Sequence, residues 1–116
     1  MANDKSIGNH TAAEAAFSIL NAWGVNGPLA NGILGSEDCS DSEVLYRAGL
    51  IMEISRALQM IFENPKNAEG FMTMKNHNHY FLGMSPIERI ADGSLVSLEE
   101  CAKRIRALAT GELPSQ

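Results

Sequence analysis

His77 and His79 stand two residues apart in the run Lys75-Asn76-His77-Asn78-His79, and such a pair can ligate a transition metal. No Cys, Asp or Glu lies at a convincing ligand spacing beside it, and His10 is distant in the chain. Loop polarity is the simpler account of this run, because asparagine side chains hold turns by bonding to nearby backbone. Nucleophilic catalysis asks for a cysteine or serine with a base in reach. Cys101 falls on the apolar face of a helix, where a thiol acts as a small buried hydrophobe. Cys39 sits among acids, which raise a thiol's pKa and make it a poor nucleophile. The acidic stretch from Ser36 to Glu43 lacks EF-hand spacing. The glycine turns carry no phosphate-loop pattern. These residues point away from catalysis and from a resident metal or cofactor. What remains is binding.

The chain of 116 residues is long enough for one domain with one core. Alanine, leucine, methionine and glutamate are plentiful and few stretches alternate apolar with polar, which favours helix throughout. The net charge of -5 lacks the basic excess of a free-standing nucleic-acid binder. Two cysteines without CxxC spacing suggest neither a zinc framework nor a disulfide scaffold. The first residues carry no apolar signal core and no run is long enough to span a membrane. A cytoplasmic protein with no membrane partner is the expectation.

Residues 1–10 read as a polar tail. Thr11 with Glu14 offers a capping box to a first helix ending at Trp23-Gly24. Ala12, Ala16, Ile19, Leu20 and Trp23 recur on it at helical spacing. A short second helix fits Gly27 or Pro28 to Leu34, closed by Gly35. Two short helices on a glycine turn open like a helix-turn-helix. The segment that follows is acidic, with Glu37, Asp38, Asp41 and Glu43, so phosphate would repel it.

The longest helix is expected from about Ser42 to Phe62, with Ser40 and Glu43 as its capping box. Its apolar residues form two stripes, Leu45-Ala48-Met52 with Phe62, and Val44-Ile51-Ile54-Leu58-Ile61. A helix apolar this far round is packed on more than one side. Asn64 caps the next helix, with Pro65 in its first turn and Ala68, Phe71, Met72 and Met74 along it. Ser97 with Glu100 opens a last helix through Leu108, with Leu98, Cys101, Ile105 and Leu108 inward. The expected fold class is all-α, a compact bundle of about six helices around one long central helix, with a helix-turn-helix-like N-terminal part. The expected divisions are a helical N-terminal part over 11–53, a second helical part over 54–113 and a tail over 114–116.

Between the last helices lies the stretch the others hold in place, Phe71 to Gly93. It loosens into the asparagine–histidine loop, becomes apolar at Tyr80-Phe81-Leu82 and turns at Gly83. Ser85, Pro86 and Glu88 then write a capping box for a short helix that Gly93 stops. Phe81 and Leu82 read as plugs between helices. Asn78, Tyr80 and Met84 read equally well as contacts for a partner, since aromatic and methionine side chains are enriched in interface cores.

From about Ile54 to Leu108 the chain resembles the C-terminal toxin-binding domain of the Xre/MbcA/ParS antitoxins. The pieces that carry the resemblance are ISRALQMIFENPKNAEGFM, the asparagine loop, LGMSPIERIADG and ECAKRIRAL, and the Gly83-x-Ser85-Pro86 turn with Gly93 is the most specific. The stretch AFSILNAWGVNGPLANGILG is similar to the helical N-terminal region of the same family. Phe71 stands where the family usually has a tryptophan, and the loop is longer than is common there. The resemblance implies a partner, a RES-domain toxin that consumes NAD, neutralised by covering its active-site entrance. It also implies homodimers. A partner-binding surface is then expected from Asn76, Asn78, Tyr80 and Met84 in the loop, Glu88 and Arg89 on the Pro86 helix, and Arg104 on the last helix. An acidic protein suits a toxin mouth built with basic residues for a dinucleotide. The alternatives are a DNA-binding autoregulator and a stand-alone adaptor or oligomerisation module.

Overall fold

Asn26, Ser40, Asn64, Ser85 and Ser94 each accept a hydrogen bond from a backbone N–H in the helical turn they precede, and these caps set where the chain folds into helices. The computed structural model describes residues 4–77 and 80–111. Its helices are α1 (Asp4–Ala22), α2 (Gly27–Leu34), α3 (Asp41–Ile61), α4 (Pro65–Thr73), α5 (Pro86–Ile90) and α6 (Leu95–Thr110). The fold is all-α. The one β-type pairing among the described residues is an isolated antiparallel bridge between Asn76 and Met84.

The helix α3 is 21 residues long and packs most extensively against α1 and α6, and also touches α2 and α4. Its buried residues are Arg47, Ala48, Leu50, Ile51, Ile54, Ala57 and Leu58. Ala16, Leu20 and Trp23 of α1, Ile33 and Leu34 of α2, and Leu98, Cys101 and Ile105 of α6 complete one continuous core around it. Helix α3 runs unbroken across residues 53 and 54, so the N-terminal and C-terminal parts share this core. No described helix is long and apolar enough to cross a membrane.

Two boundaries differ from the sequence expectation. Helix α1 begins at Asp4 where a polar tail over 1–10 and a cap at Thr11 were expected. Extending a formed helix costs little per residue, and no proline intervenes. Helix α6 begins at Leu95, capped by Ser94 and not by Ser97. The Asp92 carboxylate accepts from the Ser94 N–H at 2.9 Å and from the Ser97 hydroxyl at 2.8 Å, while the Ser94 hydroxyl accepts from the Ser97 N–H at 3.0 Å. Ser97 is thereby drawn into the first turn of a helix already capped three residues earlier.

The α3 cap is half of the expected box. Ser40 Oγ accepts from the Glu43 N–H at 3.2 Å, but Glu43 turns its carboxylate to Arg47, at 2.9 and 3.0 Å, and to the Cys39 thiol at 3.3 Å. Arg47 is 6 % exposed. Its Nη1 donates to the Ile33 carbonyl at 3.0 Å and to the Gly93 carbonyl at 2.8 Å. One guanidinium thus ties the end of α2 and the turn before α6 to the middle of the bundle. Gly35 closes α2 with φ 68°, and a Cβ there would collide with Cys39 Sγ, so both conformation and space require glycine.

Candidate functional site

Helix α4 stops at Thr73, and the chain must cross from it to α5 through residues 74–85. Its backbone is tied at the neck. The Asn76 N–H donates to the Met84 carbonyl at 3.1 Å, the Gly83 N–H to the Asn76 carbonyl at 2.8 Å and the Met84 N–H to the Phe81 carbonyl at 2.9 Å. Phe81 is fully buried in the core and meets the Tyr80 ring edge-on, with centroids 4.9 Å apart. That one side chain anchors the loop from inside.

Leu82 does the opposite of what its sequence neighbours suggest. Expected as a second plug beside Phe81, it is 71 % exposed. Its φ is 54°, followed by φ 89° at Gly83, and this pair of left-handed residues swings the leucine outward after Phe81 has turned in. A leucine held at positive φ costs about 1–2 kcal/mol. Met84 follows it on the surface, and Met74, at the other side of the neck, is 67 % exposed. Met74 is the C-cap of α4 and lies just beyond the helix along which it was placed.

Beyond the neck, the Ser85–Glu88 capping box is complete. Ser85 Oγ accepts from the Glu88 N–H at 3.0 Å and Glu88 Oε1 accepts from the Ser85 N–H at 2.8 Å. The Ser85 N–H holds the Glu88 carboxyl below its ordinary pKa, helped by Lys75, whose ammonium lies 3.8 Å away. Glu88 is thus spent on the helix start, and its exposed pair with Lys75 contributes little. Pro86 is buried in the first turn of α5. Gly93, with φ 76°, makes the turn into α6 and offers its carbonyl to Arg47.

Tyr80 joins the loop to both last helices. Its hydroxyl donates to the Ser97 carbonyl at 3.3 Å. The Arg89 guanidinium of α5 lies 4.6 Å from its ring centroid and that of Arg104 on α6 lies 5.6 Å from it. Burial raises the phenol's pKa, which Arg89 partly offsets. Of the expected partner-binding residues, the fold therefore brings Tyr80, Met84, Arg89 and Arg104 together. Asn76 contributes its backbone to the neck, and Glu88 caps a helix. Asn78 and His79 lie outside the described residues. Among the described residues no three His, Cys, Asp or Glu are grouped to hold a metal.

The two cysteines differ in reach. Cys101 is fully buried and burial pushes its thiol up to about 12. Cys39 is partly exposed, and the hydrogen bond it donates to Glu43, with burial second, raises its pKa. At pH 8, iodoacetamide should modify Cys39 slowly and leave Cys101 untouched until the protein unfolds. Peptide mapping of the native protein checks this, and rapid native labelling of Cys101 would contradict the packing of α6.

Sequence reading missed Arg47 and the outward turn of Leu82. The Glu43-x-x-x-Arg47 spacing on an otherwise apolar helix was the available signal for the first. Compared with known proteins, the chain matches no family model, no curated protein and no solved structure.

Proposed function

We propose that this chain is a non-enzymatic binding protein of the antitoxin kind, which neutralises a RES-domain, NAD-consuming toxin by covering its active-site entrance. The observation that carries the reading is Leu82, a large apolar side chain kept at positive φ and 71 % exposed on a loop whose neck is hydrogen-bonded shut. Strain retained at an exposed apolar residue favours function over packing. The same loop carries the Gly83-x-Ser85-Pro86 turn on which the family resemblance rests. Occlusion needs shape, apolar contact and a rigid backbone, and no chemistry in the binder. A cytoplasmic location and self-association as a homodimer belong to the same reading.

Autoregulation by DNA binding has less support. The turn joining α2 to α3 exposes Glu37 and Asp38, the first residue of α3 exposes Asp41, and phosphate would meet that charge first. The stand-alone adaptor reading predicts that no RES-like reading frame lies beside this one.

Calorimetric titration against the product of the neighbouring reading frame, expected on this reading to be a RES-domain protein, tests the proposal. Burying a leucine or methionine contributes about 1.5–3 kcal/mol. Leu82→Asp with Met84→Asp should therefore weaken the complex by about 100-fold or more while the melting curve stays close to the wild type. Undiminished binding by the double variant would place the surface elsewhere, and no complex with the wild-type chain would remove the antitoxin reading.

A further inference from the structure

We propose that Arg89 and Arg104, stacked on the one ring of Tyr80 beside Met84, form a receptor for a single carboxylate of the partner protein, an Asp or Glu side chain set among apolar residues. The inference rests on the binding reading above and gives that partner its chemistry.

The two guanidiniums come from different helices and converge on the same phenol, at 4.6 and 5.6 Å from its centroid. Arg47 and Arg106 are each ion-paired, to Glu43 and Glu53. Arg89 and Arg104 form no ion pair with any described carboxylate. Arg89 engages the Tyr80 hydroxyl and, at 4.0 Å from Nη1, the Met84 sulfur, while its buried Nε has no acceptor among the described residues. Both positive groups lie against one ring without a carboxylate partner, and an anion at the edge of that ring would supply one. Stacking on Tyr80 holds both planar groups in place before a ligand arrives, so little side-chain entropy remains to be lost on binding. All three residues are partly exposed; the Arg89 Nε is itself buried, so the terminal guanidinium nitrogens are the donors an incoming anion meets.

The surroundings select the size of the anion. Asp92 lies close enough to feel Arg89, and Glu100 close enough to act on Tyr80. Asp92 is already engaged with Ser94 and Ser97. A phosphate dianion or a phosphodiester chain would be repelled by both carboxylates and by a chain of net charge -5. A single carboxylate brings one negative charge into that field and incurs the smaller cost, and bidentate pairing with guanidinium suits it. Met84 next to the pair places apolar contact around the charge, which strengthens it by excluding water.

The test uses the whole protein and the blocked peptide acetyl-Leu-Glu-Leu-amide, with its glutamine version and inorganic phosphate as comparators. Tyr80 ring and arginine Nε–H resonances are followed by NMR. Saturable shifts with the glutamate peptide are expected, with the glutamine version and phosphate each about tenfold weaker or more. Equal response to glutamine, or stronger response to phosphate, overturns the carboxylate assignment. In the second arm, Arg89→Gln with Arg104→Gln should weaken the complex with the RES-domain neighbour by about 30-fold or more. If the neighbour binds wild type and double variant within about twofold of each other, the receptor is overturned and the binding reading stands. If it fails to bind the wild type, the binding reading falls and the peptide titration decides for the receptor alone.

Discussion

Arg47→Met should lower the free energy of unfolding by about 3 kcal/mol in a urea titration, a large share of the 5–15 kcal/mol typical of a domain. The methionine keeps the apolar stem, so the loss isolates the guanidinium. What it leaves behind are the Ile33 and Gly93 carbonyls without their donor, and a Glu43 carboxylate without its cation. Leaving buried polar groups unpaired costs more than the bonds themselves contribute. The pH dependence has a definite sign. Arg47 first, then the Cys39 thiol, holds the Glu43 carboxyl below its ordinary value of 4.5. A lowered folded pKa contributes stability above the unfolded value and loses it as pH falls through the folded one. The gap between wild type and variant should therefore be full at neutral pH and narrow below pH 4.5. A variant as stable as wild type at pH 7 would mean that Arg47 does not bridge α2 to the Gly93 turn.

Phe81→Ala is expected to cost about 3–5 kcal/mol, the range for removing a buried phenylalanine. Phe81 is the one fully buried side chain among the described residues of the loop, with Tyr80 packed half-buried beside it. The effect should not be uniform. Without the anchor, the Gly83 and Asn76 amides that close the neck should exchange with solvent faster than amides of α1 and α3. Tyr80 loses its edge-on contact, so its alignment beneath Arg89 and Arg104 should loosen as well. Hydrogen exchange read by mass spectrometry separates the two levels. Equal protection of the neck in both proteins would show that the loop holds its shape by backbone bonds alone.

Short-range signals made much of this fold legible in the sequence. Asn64-Pro65, Ser85-Pro86 with Glu88, and Gly35 after Leu34 each fix a helix end within a few residues, and the boundaries of α2, α4 and α5 follow them closely. The failures have physical causes of two kinds. At α6 two overlapping patterns competed, and Ser94 prevailed because Asp92 and Gly93 shape the turn before it. Arg47 and Leu82 were hidden for another reason. The carbonyl acceptors of Arg47 lie 14 and 46 residues away in sequence, and no window on one helix contains them. Leu82 shares an apolar run with Tyr80 and Phe81, and only the backbone reversal at residues 82 and 83 separates exposed from buried.

The same division runs through the candidate site. Tyr80 and Met84 in the loop, Arg89 on α5 and Arg104 on α6 lie in three separate segments, and the fold brings them to one place. Glu88 was chosen with them, yet its capping role was already written in the Ser85-x-x-Glu88 spacing. Leu82, the residue most exposed of the apolar set, was assigned inward. Charge and motif were readable; orientation was not.

The central claim is that the loop face blocks an NAD-consuming neighbour, and cellular NAD measures that directly. The adjacent reading frame, expected on this proposal to encode a RES-domain protein, is expressed with the wild-type chain, with Leu82→Asp plus Met84→Asp, and alone. The account predicts that NAD collapses when the neighbour is alone, is restored by the wild-type chain and stays low with the double variant at equal protein level. NAD that stays normal with the neighbour alone, or that the double variant restores as fully as the wild type, would contradict it.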